Sequence, residues 1–347
     1  MNQEFIEALK EIVKEKGIDE DLLFTTIEDA LVAAYKKNFL NTIGSSQLVK
    51  VTMNRENGDI HVYSQKTVSE DVLDISSEIT LAEAKQVNPR YQIGDVVDLE
   101  VTPKTFGRVA AQAAKQVVIQ RIKEAERSII YNEFIEKEYD IISGTILRKD
   151  KGNVLIDLGR IESVLGPNEQ IPNEDYNFNE RIKLYIVEVK NTTKGAQIVV
   201  SRTHPGLVKR LFELEVPEIY NGTVEIKGIS REAGFRTKIA VYSNDENVDP
   251  MGACVGPKGV RVQNIVNELK NEKIDIIKWS KLPEEFIANA LSPAKTIEVL
   301  IDEMSKSARV IVEDNQLSLA IGKEGQNVRL AAKLTGWKID IKSKSQV

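Results

Sequence analysis

Two short stretches carry residue types and spacing that could do chemistry. "GPKG", Gly256 to Gly259, opens into "VRVQNIVNELK", and 66 residues later "GKEG", Gly322 to Gly325, opens into "QNVRLAAKL". A glycine at each end lets the chain turn tightly and lets its backbone approach a ligand with no side chain in the way. The N-terminus of the following helix offers N–H groups and a partial positive charge, a combination that favours phosphate. Lys258 and Arg261 in the first copy, and Lys323 and Arg329 in the second, are placed to add charge-assisted contacts. A single Gly-x-x-Gly reads more readily as a bare turn; two in the same context argue for a shared anion-binding role. Neither matches the G-x-x-x-x-G-K-[ST] or G-x-G-x-x-G patterns, so a nucleotide-hydrolysing loop is not expected.

The elements that must hold these loops repeat as well. "TKIAVYSN" precedes the first loop and "ARVIVEDN" the second, and each following helix leads to a strand containing "KIDI", at 273–276 and 338–341. Strand, linker, loop, helix and strand thus occur twice, which an internal duplication explains. Pro205 and Pro217 bracket a short helix ahead of the first unit, and "LPEEFIANALSPAK" reads as a helix entering the second, ended at Ser292-Pro293. Upstream, residues 140–201 alternate as four or five short strands with glycine turns, which suits a small barrel of the OB type or any other small antiparallel barrel. Residues 107–139 lack interior Gly or Pro and read as one long helix. Residues 1–39 show two amphipathic helices separated by Gly17, followed by a hairpin around Asn57-Gly58 and a further strand in "GDVVDLEVT".

Composition bounds the partners. With 347 residues and 41% hydrophobic content the chain is long enough for two to four domains, and its one cysteine and two histidines leave no disulfide or zinc spacing. No apolar run approaches a membrane span and no signal peptide is visible, so a cytoplasmic protein without metal or cofactor is expected. The net charge of −6 by itself argues weakly against a nucleic-acid binder, since affinity for a polyanion rests on Lys and Arg contacts to phosphate. The charge is uneven, however. Residues 202–347 carry 22 Lys+Arg against 20 Asp+Glu, whereas residues 1–126 carry 15 against 21, as a protein-binding surface would. Cys254, Trp279 and Trp337 are expected in packing roles, as are Tyr176 and Phe178, which lie in a loop-like stretch and could alternatively serve as a stacking platform.

A Gly-x-x-Gly loop between two helices, with a strand after the second, resembles the KH domain, which clamps about four nucleotides of single-stranded nucleic acid. "GACVGPKGVRVQNIVNEL" and "LAIGKEGQNVRLAAKLTGWKIDI" resemble the tandem KH pair of the NusA family of bacterial transcription elongation and termination factors. The "EALKEIV" and "ALVAAYKK" helices, "AAQAAKQVVIQRIKEAER" and "GTILRKDKGNVLIDLG" extend that likeness along the chain. The resemblance implies a multi-domain α+β protein: an α/β N-terminal polymerase-binding domain with a connector helix (1–126), a five-stranded OB-fold β-barrel (135–201), and two type II KH domains (202–277 and 278–347). It implies that Gly256, Pro257, Lys258 and Gly259, and Gly322, Lys323, Glu324 and Gly325, meet the RNA backbone, flanked by Gln326, Asn327 and Arg329. Bland alternatives are a helix-start cap for Asn327 and a solvated helix face for Arg329. In the barrel, the place where this class carries a stacking aromatic reads Lys151-Gly152-Asn153. Arg148, Lys149 and Lys151 are therefore expected to give diffuse positive charge. The implied protein is a monomeric, non-enzymatic factor that binds RNA polymerase and nascent single-stranded RNA and acts with other antitermination factors. The alternative is a ribosome-associated or RNA-processing binder with the same modules.

Overall fold

Asp19 accepts a hydrogen bond from the Leu22 N–H at 2.8 Å and so starts the second of two N-terminal helices, α1 (Gln3–Lys16) and α2 (Glu20–Tyr35). The computed structural model describes residues 3–40, 48–172, 174–193 and 195–346. These divide into two units, residues 1–129 and 130–347. In the first, Ile6, Leu9 and Val13 of α1 and Leu23, Phe24, Ile27 and Leu31 of α2 share a core with the hairpin β1 (Leu48–Met53) and β2 (Ile60–Ser69). The expected Asn57-Gly58 turn lies in a six-residue connection closed by the Asn54 N–H to Asp59 carbonyl bond. Strand β3 (Glu78–Thr80) runs parallel to β2, and Thr80 and Glu83 form a reciprocal capping box at the start of α3 (Leu81–Val87). Strand β4 (Val96–Glu100) pairs antiparallel with β2. The long helix is α4 (Phe106–Ile135), four residues shorter at its end than its sequence suggests.

The second unit begins with five strands: β5 (Ile141–Asp150), β6 (Asn153–Asp157), β7 (Glu162–Leu165), β8 (Arg181–Thr192) and β9 (Gly195–Ser201), in the antiparallel order β7-β6-β5-β8-β9. Ile146, Val154, Ile156, Leu184, Ile186 and Val200 fill its interior, with Phe134 from the end of α4. Edge strands β7 and β9 approach each other, and the buried Ser163 hydroxyl donates to the Ile198 carbonyl at 2.7 Å across the seam. The sheet thereby curls into the near-closed barrel of an OB fold. Gly144 permits this curl, since a Cβ there would lie 2.4 Å from Ile156 Cγ2.

Two α-β-β-α-α-β domains follow. The first comprises α5 (Pro205–Glu215) with the short α6 (Pro217–Tyr220), β10 (Val224–Glu232), β11 (Arg236–Ser243), α7 (Pro250–Val255), α8 (Val260–Glu268) and β12 (Lys273–Lys278). The second comprises α9 (Pro283–Ala290), β13 (Thr296–Asp302), β14 (Ser307–Val312), α10 (Leu317–Ile321), α11 (Gln326–Thr335) and β15 (Lys338–Ser343). Both sheets run antiparallel then parallel, in the orders β10-β11-β12 and β13-β14-β15. Each domain thus has one more strand and one more short helix than the repeated sequence pattern suggests. The fold is multi-domain α+β with an OB barrel and two KH domains. Among the described residues no helix is long and apolar enough to cross a membrane.

Candidate nucleic-acid interface

The two glycine loops have the same backbone. Gly256, Lys258 and Gly259 have φ of 74°, 52° and 76°; Gly322, Glu324 and Gly325 have 77°, 54° and 72°. In each, the N–H of the second glycine donates to the carbonyl of the first at 3.1 Å. The glycines of a pair do different work. A Cβ on Gly256 would lie 2.7 Å from Arg261 Cγ, and one on Gly322 would lie 2.8 Å from the backbone nitrogen and Cβ of Asn327. Gly259 and Gly325 face open space, so the left-handed φ alone asks for glycine there and their solvent side stays clear for a ligand. Short helices α7 and α10 enter the loops, α8 and α11 leave them, and Asp249 caps α7 by accepting from the Met251 and Gly252 N–H groups. Cys254 packs beneath the first loop, where burial pushes its thiol pKa up to about 12, in keeping with its expected packing role.

Among the expected contact residues, Pro257, Lys258, Lys323 and Glu324 are exposed on the loops. Pro257 has no N–H, so the first loop offers one backbone donor fewer than the second, which has Lys323 there. Arg261 and Asn327, expected beside the RNA backbone, are each bonded within their own domain. Arg261 donates to Glu218 Oε2 at 2.9 Å and to the Ala253 carbonyl at 2.6 Å. Asn327 is 1% exposed and donates from Nδ2 to the Leu291 and Ala320 carbonyls, both at 3.0 Å. These two residues occupy equivalent positions, 66 apart, and both tie the end of the incoming helix to the first turn of the outgoing one. Gln326 and Arg329 face Glu232 of the first KH domain rather than lying free.

A groove of about 540 Å³ runs between Met251 of α7 and Ile276, Ile277 and Lys278 of β12, reaching Ser292 to Thr296 at the entrance of the second domain. Its lining mixes Ile, Ala and Pro side chains with Asn289, Ser292 and Thr296, and Lys278 and Lys295 are exposed beside it. The two domains meet through α11 and β10, where Leu334 Cδ1 leaves only 3.3 Å for a Cβ at Gly228. Lys238, fully buried, bridges Asp275 at 3.0 Å and the Ser292 carbonyl at 2.7 Å. Burial lowers its pKa, and Asp275 opposes that shift.

The barrel is joined to the first KH domain by a buried charge cluster that the sequence did not mark out. The fully buried Arg202 pairs with Glu174 and donates to the Lys183 carbonyl at 2.8 Å and to Glu268 Oε1 at 3.2 Å. His204 stacks on Tyr185 with ring centroids 4.8 Å apart. On the barrel surface Arg148, Lys149 and Lys151 are all exposed, and Lys151-Gly152, both at positive φ, form the tight β5–β6 turn. Lys149 Nζ sits 5.5 Å from the centre of the Tyr176 ring. Tyr176 itself is buried and bonded to Glu174, as a packing role requires. Phe178 differs from its expected packing role: it is 80% exposed, because the loop after Tyr176 carries it past the barrel wall. Trp279 lies edge-on to Tyr242 and Phe286, and Trp337 packs in the second KH core.

Comparison with known proteins agrees with this architecture. Residues 4–128 match the NusA N-terminal domain, 202–279 the NusA-like first KH domain and 283–347 the NusA-like second KH domain. The transcription termination/antitermination protein NusA of Halalkalibacterium halodurans is 59% identical over 346 residues, covering 100% of this chain and 90% of that protein. Its counterpart in Bacillus subtilis is 58% identical over 345 residues, 99% of this chain and 92% of the relative. The one from Thermus thermophilus is 45% identical, with 98% and 89% covered. Two loops of one backbone geometry on two KH domains, behind an OB barrel, in a chain this similar to these relatives along its whole length, leave a single assignment: the chain belongs to the NusA family.

Proposed function

We propose that the protein is a non-enzymatic, cytoplasmic transcription factor that docks on RNA polymerase through residues 1–126 and holds nascent single-stranded RNA on its KH domains, so modulating pausing, intrinsic termination and antitermination. The matching backbone of the two loops is the observation that carries the RNA half. Gly256 to Gly259 and Gly322 to Gly325 take phosphates on their open sides, Lys258 and Lys323 add charge, and the groove along β12 takes bases. Arg148, Lys149 and Lys151 extend the positive surface onto the barrel. The names of the relatives support the transcriptional half.

For the docking half, the first unit offers a groove of about 680 Å³ lined by Val72, Ile75, Val87 and Leu99 with Glu83 and Lys66. Leu73 and Ile75 beside it are 92% and 79% exposed. Apolar surface of this kind marks a protein interface. Core polymerase should be recovered on the tagged full chain and lost from the Leu73→Asp, Ile75→Asp double variant, with RNA binding unchanged. Recovery of ribosomal subunits without polymerase would instead favour a ribosome-associated binder. Antitermination factors that join the complex are additional partners in this reading.

A further inference from the structure

The first turn of α11, which follows the second loop, is held by an acid from the other KH domain. Glu232, at the end of β10, accepts from Arg329 Nε at 2.6 Å, from Arg329 Nη2 at 3.2 Å and from Gln326 Nε2 at 2.9 Å. The remaining guanidinium nitrogen of Arg329 donates to the Glu324 carbonyl inside the loop at 3.2 Å, so the cation lies against the loop itself. A carboxylate held by two guanidinium nitrogens and an amide uses the forked geometry that a phosphate oxygen pair would use. The Arg329 side chain is nevertheless 48% exposed, and an ion pair so open to water is weak enough to be exchanged. Among the described residues no acid from the other KH domain holds the first loop, whose Arg261 instead pairs with Glu218 of its own domain at 2.9 Å. The residue 66 positions before Arg329 is Gln263, which bonds Asn267 on its own helix.

We propose that Glu232 is a built-in competitor for RNA at the second loop, occupying Arg329 and Gln326 in the free protein and giving them up when a phosphate takes its place. The proposal rests on the RNA-clamp reading of the loops and assigns a difference between them. The first loop is open to RNA from the start, whereas the second engages by exchanging an internal anion for an external one. RNA already held by the first domain makes that exchange intramolecular, so the second loop favours strands delivered by its neighbour over free fragments.

The test measures binding of the full chain to a ~12-nucleotide single-stranded RNA of mixed sequence, about three times what one clamp holds. Anisotropy is read across a salt series for the wild type, Glu232→Gln and Glu298→Gln. The last removes a charge from β13, at the opposite edge of the second sheet. Glu232→Gln should bind more tightly by roughly three- to tenfold, with log K against log[salt] steeper by about 0.7, the increment for one phosphate contact. Glu298→Gln should show neither change. The Glu232→Gln gain should vanish when Gly322→Asp and Gly325→Asp are added, which places it at the second loop. If Glu232→Gln matches or falls below the wild type with an unaltered salt slope, the contact is only a brace between domains, and the proposal is wrong. A gain that survives the loop substitutions overturns it too. Wild-type RNA affinity in the Gly322→Asp, Gly325→Asp protein would remove the clamp reading and the proposal together.

Discussion

Asn327 and Arg261 show how a residue beside a glycine loop can hold the loop's shape from within. Each stands where the first glycine of its loop needs a wall, and each bonds carbonyls at the end of the preceding helix. Asn327→Ala leaves the Leu291 and Ala320 carbonyls without that donor in a buried place. Because an unmade buried hydrogen bond costs about 1–3 kcal/mol, the variant should lose roughly 2–4 kcal/mol in urea unfolding. A loss within the error of the wild type would mean that the loop holds its shape without this staple. The glycines separate in the same way. Gly325→Ala meets open space and should cost only the ~1–2 kcal/mol of a left-handed alanine. Gly322→Ala adds a collision with the Asn327 backbone and should cost clearly more. Equal midpoints in thermal melts of the two variants would contradict this division of labour.

At the scale of elements, the parts with strong periodicity were legible in the sequence: α2, the long α4, the barrel strands and the paired "KIDI" strands. What escaped has physical causes. Helices α7 and α10 have six and five residues, too few to show a helical period. Strand β10 is broken by a register shift between Ile226 and Gly228, where the glycine admits Leu334 of the other domain. Strand β3 has only three residues and pairs parallel to β2, an arrangement with no local turn to announce it. The loops themselves were visible, but the inward turn of Arg261 and Asn327 was not, since spacing says which face a residue shares and not which carbonyls lie opposite.

Two ion pairs at element ends join the parts of the second unit, and both should respond to acid. Glu180 of the barrel is bonded by Lys270 at 2.9 Å, and Glu232 by Arg329; in each case that hydrogen bond holds the carboxyl below its ordinary pKa. A carboxylate with a depressed folded pKa contributes stability that is present above the ordinary glutamate value of about 4.3 and is lost as pH falls through the folded value. Thermal melts of the wild type should therefore decline more steeply below about pH 4.3 than those of the Glu180→Gln, Glu232→Gln variant. Parallel declines would show that neither pair is coupled to folding.

For the whole molecule, what matters is that the barrel and the two glycine-loop domains are joined by direct contacts. The buried Arg202 cluster joins the barrel to the first KH domain, and Lys238 with the α11–β10 contact joins the first to the second. Fixed spacing turns the second binding event into an intramolecular one, with gains of 10²–10⁴ in affinity once a ligand spans both sites. In the proposed RNA-binding role, this is how a chain of net charge −6 would hold a polyanion through a few well-placed contacts instead of a strongly basic surface. Affinity measured against RNA length should accordingly rise in steps. A strand of about four nucleotides occupies one clamp, and a length that reaches the second loop should bind at least about 10²-fold more tightly. In the Gly322→Asp, Gly325→Asp protein the first level should persist and the later rise should disappear. A smooth increase with length that is the same in both proteins would mean that the two loops bind separately, and that their duplication adds sites without adding grip.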